Sequence, residues 1–469
     1  MRDAFAPVVR HVIYPLWMAK DNSPEIQYLR ALRRSQFLPA AAIAELQWQR
    51  LKAILEHAYA TIPFHRNRFR QAGITPADIR EPRDLLRIPP VSKQDIQQNR
   101  EAMVSETVDR SRLITDRSGG STGAPVVFYY DLDRLASRQA ATIRQNEWAG
   151  WRVGDKVALL WAAPRDIPPT GGWKRSLRRR LLERTMILDA SSLTEAKMAA
   201  FTDLLRTYRP RILLGYANTM TLYARYARER RIRDLRPAAI VCSAEVLRES
   251  DRTLIQETFD CPVFNRYGSR ELAVIASECE ARQGLHINAE NLYVELVRNG
   301  GHAAPGETGE VIVTDLVNRV MPLIRYRIMD VAMPLAGTCS CGRGLPRIEM
   351  QEGRVTDFIV TPEGTAISGV ALATYVVPNI PGLRKAQILQ EEIGRVTLRA
   401  VVDEGHGAAV ADTFRGKVRG FVGDRMEIAV DIVADIPVED SGKFRFIVSS
   451  LPPETILTAA GTREPHSQK

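Results

Sequence analysis

The stretch Ser118-Gly119-Gly120-Ser121-Thr122-Gly123-Ala124-Pro125 runs directly into Val126-Val127-Phe128-Tyr129-Tyr130, and the rest of the chain is interpreted around it. The glycines allow a tight turn with inward N–H groups, and the hydroxyl side chains add donors beside Arg117. Such a loop favours anion binding, and the β-branched and aromatic run after it predicts a strand. A Walker-type loop is excluded because no lysine follows the last glycine. Taken alone, the stretch is equally typical of a polar hairpin turn.

The length and composition predict a globular protein with more than one domain. Its 469 residues suffice for two or three domains, and 45% hydrophobic and 26% charged residues are usual for folded chains. No apolar run approaches the ~20 residues of a membrane-spanning helix, and the first residues lack a signal-peptide pattern. We therefore expect a cytoplasmic protein.

The net charge of +10 is partly concentrated in Lys174-Arg175 and Arg178-Arg179-Arg180. No zinc-finger, RNP or helix-turn-helix signature accompanies this cluster, so no specific nucleic-acid binding is expected. Three interpretations of the cluster stay open. It could meet an acidic ligand, make a peripheral contact with an anionic membrane, or form a solvated basic helix.

Strand and helix patterns alternate through the middle of the chain. Apolar runs predict strands at 157–161, 211–216, 238–242 and 262–265, and helical spacing predicts helices at 135–148, 199–208, 219–230 and 249–259. This alternation predicts an α/β fold of parallel sheets flanked by helices. In such sheets, ligands bind beyond the carboxyl ends of the strands.

Candidate functional residues follow two of these predicted strands. Ser243-Ala244-Glu245 comes after one, and Tyr267-Gly268-Ser269-Arg270-Glu271 after the next. An aromatic ring at 267 can stack on a purine, and Gly268 permits a close approach of the backbone. The carboxylate of Glu271 can hold Mg²⁺ against phosphate oxygens. The segment alone is also typical of a Tyr-Gly turn followed by a surface glutamate.

In their order along the chain, these segments resemble the motifs of the adenylate-forming superfamily, the acyl-CoA synthetases. The context is similar to its phenylacetate–CoA ligase branch, including the CapK-type proteins, and the resemblance covers roughly residues 46–450. It implies an AMP-forming ligase that activates a small carboxylic acid with ATP and Mg²⁺ as an acyl-adenylate. The acyl group then passes to CoA or to another acceptor, in CapK-type proteins within polysaccharide biosynthesis.

The resemblance also implies roles for individual residues. The loop at 118–123 would hold phosphates, residues 243–245 would line the adenine, Asp330 would accept from the ribose hydroxyls, and Arg354 would contact ribose or phosphate. The catalytic residues would be Lys443 and Glu271. The cofactor-binding residues implied in this way are Ser118, Gly119, Gly120, Ser121, Thr122, Gly123, Ser243, Ala244, Glu245, Tyr267, Gly268, Ser269, Asp330 and Arg354.

The chain departs from the family pattern at two places. Met329 precedes Asp330 where the family has glycine, and Thr356 stands at the hinge where the family has aspartate. These departures motivate an alternative function, a catalytically impaired nucleotide-binding scaffold. For the domains, the predicted order is peripheral helices at 1–45, a large domain at 46–352, a small mobile α+β domain at 353–454 and a disordered tail at 455–469.

The five cysteines, an odd number, argue against a disulfide framework. Cys279, His286, Cys339 and Cys341 form a candidate four-ligand set for tetrahedral Zn²⁺, and such a site would be structural because it leaves no position for water. Some members of the resembled family carry a structural zinc. Free buried thiols are the alternative, because the spacing is unlike the usual C-x-x-C.

Overall fold

The fold is described from a computed structural model. The structure describes residues 3–117, 126–161, 177–189, 195–244, 247–354, 358–364, 366–368, 372, 376, 380–436, 446–452 and 455.

Ten α-helices are assigned among the described residues. The first, α1 (6–20), is continuous through Ala6–Val8, a π-helical segment Val9–Ile13 and Tyr14–Lys20. The others are α2 (Glu25–Ser35), α3 (Ala40–Thr61), α4 (Pro63–Gln71), α5 (Lys93–Asn99), α6 (Leu132–Trp148), α7 (Glu195–Tyr208), α8 (Ala217–Glu229), α9 (Glu249–Phe259) and α10 (Gly407–Val422). Short 3₁₀ segments lie at Pro76–Asp78, Pro82–Arg87, Glu101–Met103 and Arg110–Arg112, and a π-helical segment at Arg179–Glu183.

The strands form one large sheet and three smaller ones. They are β1 (Ile114–Arg117), β2 (Val127–Tyr130), β3 (Val157–Trp161), β4 (Thr185–Asp189), β5 (Ile212–Tyr216), β6 (Ala239–Ser243), β7 (Val263–Ser269), β8 (Ala273–Glu278), β9 (Leu285–Ile287), β10 (Leu292–Arg298), β11 (Gly301–His302), β12 (Gly309–Asp315), β13 (Tyr326–Leu335), β14 (Arg347–Arg354), β15 (Phe358–Val360), β16 (Ala366–Ser368), β17 (Leu383–Glu392), β18 (Arg395–Val402), β19 (Glu427–Ile432) and β20 (Ile447–Ser449).

The large sheet confirms the predicted α/β class, although it is mixed and not wholly parallel. Its order is β11-β10-β12-β13-β14-β9-β8-β7-β6-β5-β3-β4. The strands from β4 to β7 pair in parallel, and these are the strands whose alternation with helices is visible in the sequence. The strands from β8 to β14 pair antiparallel with their neighbours. Hairpins join antiparallel strands without a crossover helix, so an alternation of strands and helices in the sequence does not reveal them.

The observed strand β7 extends beyond the strand predicted at 262–265 from the apolar run. In the structure β7 continues to Ser269, because its second half pairs with β8 instead of ending at the sheet edge. The segment Tyr267-Gly268-Ser269 therefore lies within a strand, and Glu271 lies in the turn between β7 and β8.

The N-terminal helices pack closely on the large sheet. Val9, Tyr14 and Met18 of α1 belong to a core shared with β5 and β6. Further along, helix α2 is joined to α6 by a buried network in which Arg144 Nη1 and Ser35 Oγ both donate to Glu290 Oε1, at 2.6 and 2.5 Å. Paired buried charges of this kind hold neighbouring elements in one register.

The C-terminal strands form a separate four-stranded sheet of order β19-β18-β17-β20. Helix α10 covers it, with Val410, Phe414 and Val418 buried in a core formed with the strands. The large sheet extends along the chain to Arg354 at the end of β14.

Among the described helices, none combines the length and the apolar composition that a membrane crossing requires. All five cysteines are free thiols.

Candidate functional site

Several predicted site residues lie outside the described part of the chain. These are the loop at 118–125, Glu245 and Lys443; for Arg354 only the backbone is described. The described strands on either side of the loop form a hairpin, with Arg117 opposite Val127. The remaining candidates lie on β6, β7, β13 and the turn after β7.

The carboxyl end of β6 meets the middle of β7. Ser243 pairs with Arg266 across the two parallel strands, and the Ser243 hydroxyl donates to the Arg266 carbonyl oxygen at 3.2 Å. The next residue, Ala244, has φ +66°, a left-handed conformation that ends the extended strand. Residues 243–244 therefore sit where ligands bind in sheets of this class.

Gly268 allows the hairpin of β7 and β8 to close tightly. A Cβ at this position would lie 2.5 Å from the Ala273 carbonyl oxygen and 3.2 Å from the Val274 Cα. Ala273, which pairs with the following residue Ser269, itself has φ +62°, and the strand register shifts between Tyr267 and Gly268. The glycine is thus required by the packing of two backbones, which is a physical reason for the Tyr-Gly sequence.

Two tyrosine–carboxylate contacts join β7 to β13. The Tyr267 hydroxyl donates to Asp330 Oδ2 at 2.7 Å, and the Tyr326 hydroxyl donates to Glu271 Oε1 at 3.3 Å. Three strands, β14, β9 and β8, separate β7 from β13 in the sheet order. A flat sheet would hold them about 19 Å apart, because neighbouring strands lie about 4.8 Å apart. The sheet is therefore strongly curled here, and the curl brings Asp330 to Tyr267 and Tyr326 to Glu271.

Arg354, another predicted site residue, lies beside Asp330 in the sheet. The register of β13 and β14 places Asp330 opposite Arg354, so the backbones of these two candidates are neighbours. Met329 has φ +70°, the left-handed region that favours glycine. The backbone at 329 therefore keeps the left-handed conformation in which glycine is favoured, although the side chain is methionine.

Two arginines that were not predicted from the sequence position Glu271. Arg138 Nη2 donates to the Arg270 carbonyl oxygen at 2.8 Å, and Arg134 Nη2 donates to the Leu272 carbonyl oxygen at 3.2 Å. The two donors hold the turn on both sides of Glu271, which is 8% exposed. Burial is the main cause that lowers the pKa of Arg138, with the nearby charge of Arg134 adding to it.

These arginines also connect the turn to its surroundings. The Arg138 guanidinium lies over the Tyr130 ring at 4.9 Å, which links β2 and the hairpin of the predicted phosphate loop to the Glu271 turn. Arg134 forms a fully buried ion pair with Asp315, with Nε and Oδ2 2.7 Å apart. In the sequence, two arginines four residues apart lie on one side of a helix that follows the glycine loop, but this spacing does not show what they contact.

A second cluster lies away from these carboxylates. The ligand atoms of Cys279, His286, Cys339 and Cys341 all lie within 4.8 Å of one another. The Cys279 and Cys339 sulfurs are 3.7 Å apart, and Cys341 Sγ is 3.4 Å from His286 Nε2. Zinc–sulfur and zinc–nitrogen bonds in a tetrahedron give separations of about 3.8 Å for two sulfurs and about 3.5 Å for sulfur and nitrogen. The donor set and its spacing fit a zinc ion.

The surroundings of the cluster are also suited to a metal. His286 Nδ1–H donates to the Leu345 carbonyl oxygen at 3.2 Å, which leaves Nε2 as the free donor atom of the imidazole. Burial lowers the pKa of His286 to about 4, so the ring is neutral near pH 7. Burial raises the pKa of Cys279 to about 12, and a dication is the charge that would offset this cost.

The loop that carries Cys339 and Cys341 is packed on the N-terminal helices. Gly344 N–H donates to the Gln36 carbonyl oxygen at 3.0 Å, and a Cβ at Gly344 would collide with the Leu38 carbonyl oxygen. The Trp148 indole N–H donates to Gln36 Oε1 at 2.9 Å, and its ring contacts His286 edge to face at 5.8 Å. The cysteine–histidine cluster is therefore part of the packing between α2, α6 and the large sheet.

Comparisons with known proteins agree with the motifs. The model of the CapK C-terminal domain matches residues 359–450. The chain is 31% identical to the phenylacetate-coenzyme A ligase of Escherichia coli over 334 residues, 67% of this chain and 72% of the relative. It is 28% identical to the phenylacetate-coenzyme A ligase of Thermus thermophilus over 449 residues, 88% and 97% of the two chains.

The fold is also similar to a solved structure, that of a 2-hydroxyisobutyryl-CoA ligase in the postadenylation state. The TM-score is 0.67 at 21% identity, over 89% of this chain and 92% of the other. The family is established by the identity and coverage of the Escherichia coli relative, together with the match to the CapK C-terminal domain. The chain belongs to the phenylacetate–CoA ligase and CapK branch of the adenylate-forming superfamily.

Proposed function

We propose that this protein activates a small carboxylic acid at the site formed by Glu271, Asp330 and Tyr267, and then transfers the acyl group to CoA. AMP-forming ligation of a carboxylic acid is the chemistry of its family. The carboxylate oxygen attacks the α-phosphorus of ATP, and pyrophosphate leaves with the electrons of the bond that breaks. The CoA thiol then attacks the acyl carbon, AMP leaves, and a thioester remains. The observation that carries the proposal is the pair of tyrosine–carboxylate contacts, which join Asp330 on β13 to Tyr267 on β7 and join Glu271, in the turn after β7, to Tyr326 on β13.

Each acid has a role suited to its surroundings. Asp330 accepts from the Tyr267 hydroxyl through one oxygen, and a carboxylate with two oxygens can also accept from ribose hydroxyls. Glu271 is held by the turn that Arg134 and Arg138 fix, and a carboxylate held in this way fits the oxygen-ligand preference of Mg²⁺. Bound there, Mg²⁺ would neutralise phosphate charge. Ser243 and Ala244, at the end of β6, would line the adenine.

Residues outside the described ranges complete the proposal on the strength of sequence alone. The donor-rich loop at 118–123 would hold the phosphates, and Glu245 would line the adenine. Lys443 would bring positive charge to the developing charge between the carboxylate and the α-phosphate. The proposed division into a large domain and a small mobile one would let this lysine approach and withdraw.

The test is exchange of radiolabelled pyrophosphate into ATP, driven by a panel of carboxylic acids. The wild type is expected to support exchange with at least one acid, and Glu271→Gln and Lys443→Ala are each expected to slow it at least about a hundredfold, the range seen when one charge-stabilising group is lost. Exchange that proceeds at the wild-type rate in Glu271→Gln would remove Glu271 from the site. Release of AMP on adding CoA tests the second half-reaction.

The alternative of an impaired nucleotide-binding scaffold rests on the departures at Met329 and Thr356. Met329 retains a left-handed φ of +70°, so the first departure leaves the local backbone conformation intact. Thr356 lies outside the described residues. ATP binding without exchange for any acid in the panel would favour the scaffold.

We further propose that Cys279, His286, Cys339 and Cys341 bind a structural Zn²⁺. The support is the match between the observed separations of donor atoms and those of a tetrahedral site. Metal analysis of the purified protein is expected to find about one zinc per chain. Cys339→Ser should lose the zinc, whereas Cys261→Ser should retain it, because Cys261 is a buried thiol that belongs to a different core cluster.

We also propose that the protein is cytoplasmic and that it makes a peripheral contact with a membrane. Five free thiols are consistent with a reducing compartment. The basic cluster at 174–180 supports the membrane contact, and its described part begins at Leu177.

A further inference from the structure

Most of the excess positive charge of the chain lies in one segment around strand β5. Residues 203–236 contain nine arginines, three acids and no lysine, so their net charge is +6 of the +10 that the whole chain carries. All nine arginines are exposed. The segment covers the end of α7, strand β5, helix α8 and most of the connection to β6. The charge is therefore concentrated on one part of the surface and not spread over the molecule.

This charge gathers at the amino ends of the parallel strands. Ile212 opens β5 and pairs with Ala239, which opens β6, so the two strands begin at the same edge of the sheet. The end of α7 is tied to the connection before β6, because Arg206 Nε donates to Asp234 Oδ2 at 2.6 Å. Ser243 of the proposed adenylation site lies at the other end of β6, about 16 Å away for a strand of five residues. The charged segment and the proposed site are therefore at opposite edges of the sheet.

Four of the nine arginines make no ion pair with a carboxylate among the residues that the structure describes. Two lie near the end of α8 and two in the connection that follows, namely Arg225, Arg228, Arg231 and Arg233. We call these four residues the arginine edge. Of the three acids in the segment, Asp203 and Asp234 both accept from Arg206, at 3.0 and 2.6 Å. Like charges three residues apart on a helix repel one another, so the arginine edge lowers the stability of the free protein and a negatively charged partner would offset this cost.

The side chains around the arginine edge favour a bilayer surface over a nucleic acid or a protein. Single-stranded nucleic acids stack their bases on exposed aromatic rings, whereas Tyr223 is buried and the Arg230 guanidinium lies over the Tyr226 ring at 6.0 Å. A stable protein interface has a largely apolar centre from which charged side chains are depleted. Among the described side chains of residues 203–236, Leu204 is the one large apolar side chain that is exposed. Binding to an anionic bilayer needs neither feature, because the negative surface attracts basic side chains directly.

We propose that the arginine edge docks on the surface of an anionic lipid bilayer. Arginine suits this partner, because its planar guanidinium can donate two hydrogen bonds to one phosphate. Docking at this edge leaves the carboxyl ends of β5 and β6, beside the proposed adenylation site, facing away from the membrane and open to soluble substrates. The inference rests on the membrane contact proposed above and assigns that contact to described side chains, separate from the segment 174–180.

The test is co-sedimentation of the full chain with vesicles of phosphatidylcholine that contain about 30% phosphatidylserine, beside vesicles of phosphatidylcholine alone. The wild type should sediment with the anionic vesicles, less at high salt, and stay in the supernatant with the neutral ones. A quadruple variant carries Arg225→Gln, Arg228→Gln, Arg231→Gln and Arg233→Gln. Its binding to anionic vesicles should weaken at least about a hundredfold, because the loss of each arginine near an anionic surface weakens binding about fivefold.

The matched control removes the same charge from four exposed arginines of other elements, through Arg30→Gln, Arg70→Gln, Arg80→Gln and Arg87→Gln. It should bind within about threefold of the wild type, because charges far from the bilayer are screened by salt. Both variants should keep the wild-type thermal midpoint. An equal loss of binding in the control would show that net charge and not the arginine edge drives the contact, and it would overturn the proposal.

Three further results would also overturn the proposal. If the wild type sediments and the quadruple variant binds equally well, another surface makes the membrane contact. If the wild type stays in the supernatant with anionic vesicles, the membrane contact itself is wrong. If the wild type binds single-stranded polyuridylate in preference to anionic vesicles, the partner is a nucleic acid. Pyrophosphate exchange tests the adenylation site separately from all of these outcomes.

Discussion

Replacement of Tyr267 by phenylalanine tests the contact on which the proposed site depends most. The change removes one hydroxyl that donates to Asp330 Oδ2 at 2.7 Å and leaves the ring in place. Hydrogen bonds to charged groups contribute about 1.5–3 kcal/mol, and the lower end applies because Tyr267 and Asp330 are only half-buried. Without the hydroxyl, Asp330 loses one hydrogen bond that orients its carboxylate. A loss of about 1.4 kcal/mol corresponds to a factor of about ten in affinity.

The KM for ATP in pyrophosphate exchange should therefore rise about tenfold in Tyr267→Phe, with little change in kcat, because the hydroxyl positions a binding group and not the reacting atoms. Tyr59→Phe removes the same atom from a tyrosine on α3 and serves as the matched control. Asp330→Asn should show a larger effect on the same parameter. If Tyr267→Phe keeps the wild-type KM for ATP while Asp330→Asn does not, the tyrosine has no part in orienting the carboxylate.

Three other changes test the packing around the site. Glu290→Gln leaves Arg144 buried without its counter-charge and should lower the free energy of unfolding by about 3–5 kcal/mol, measured by urea denaturation. Gly268→Ala should lower the free energy of unfolding by about 1–3 kcal/mol in the same assay and slow pyrophosphate exchange, because the added Cβ meets the Ala273 carbonyl oxygen. A variant with wild-type stability would contradict the close approach of β7 and β8. Removal of zinc by a chelator should lower the thermal midpoint by about 5–10 °C, whereas Cys339→Ser should begin at the lower midpoint and not respond to the chelator.

The sequence was most informative where local patterns and backbone structure coincide. Helix α9 and strand β3 have the predicted bounds, because the helical spacing and the apolar run begin and end with these elements. The antiparallel pairing in the large sheet was not predicted, since these strands are joined by turns that give no crossover signal. The length of β7 was underestimated for the same reason, because hydrogen bonds to β8 extend it past its apolar run.

Within the candidate site, the motif residues were predictable and the residues that position them were not. Glu271 and Asp330 belong to recognisable segments, but their contacts with Tyr326 and Tyr267 depend on the curl of the sheet between β7 and β13. No local pattern encodes this curl. Arg134 and Arg138 act through carbonyl oxygens of the Glu271 turn, and backbone acceptors leave no trace in the sequence. The four metal-ligand candidates come together from three separate segments, which chain spacing alone could not establish.

Met329 shows how a departure from a motif can preserve structure at a cost in energy. A glycine would occupy φ +70° without strain, whereas a residue with a Cβ is destabilised by about 1–2 kcal/mol there. The neighbouring contacts hold the strand in this conformation, because Asp330 accepts from Tyr267 and its backbone lies opposite Arg354. The strain is therefore stored beside the carboxylate that would bind ribose, and it persists because β7 and β14 fix the residue that follows. The left-handed backbone at Met329 consequently argues that the geometry at Asp330 is retained, although the family glycine is lost.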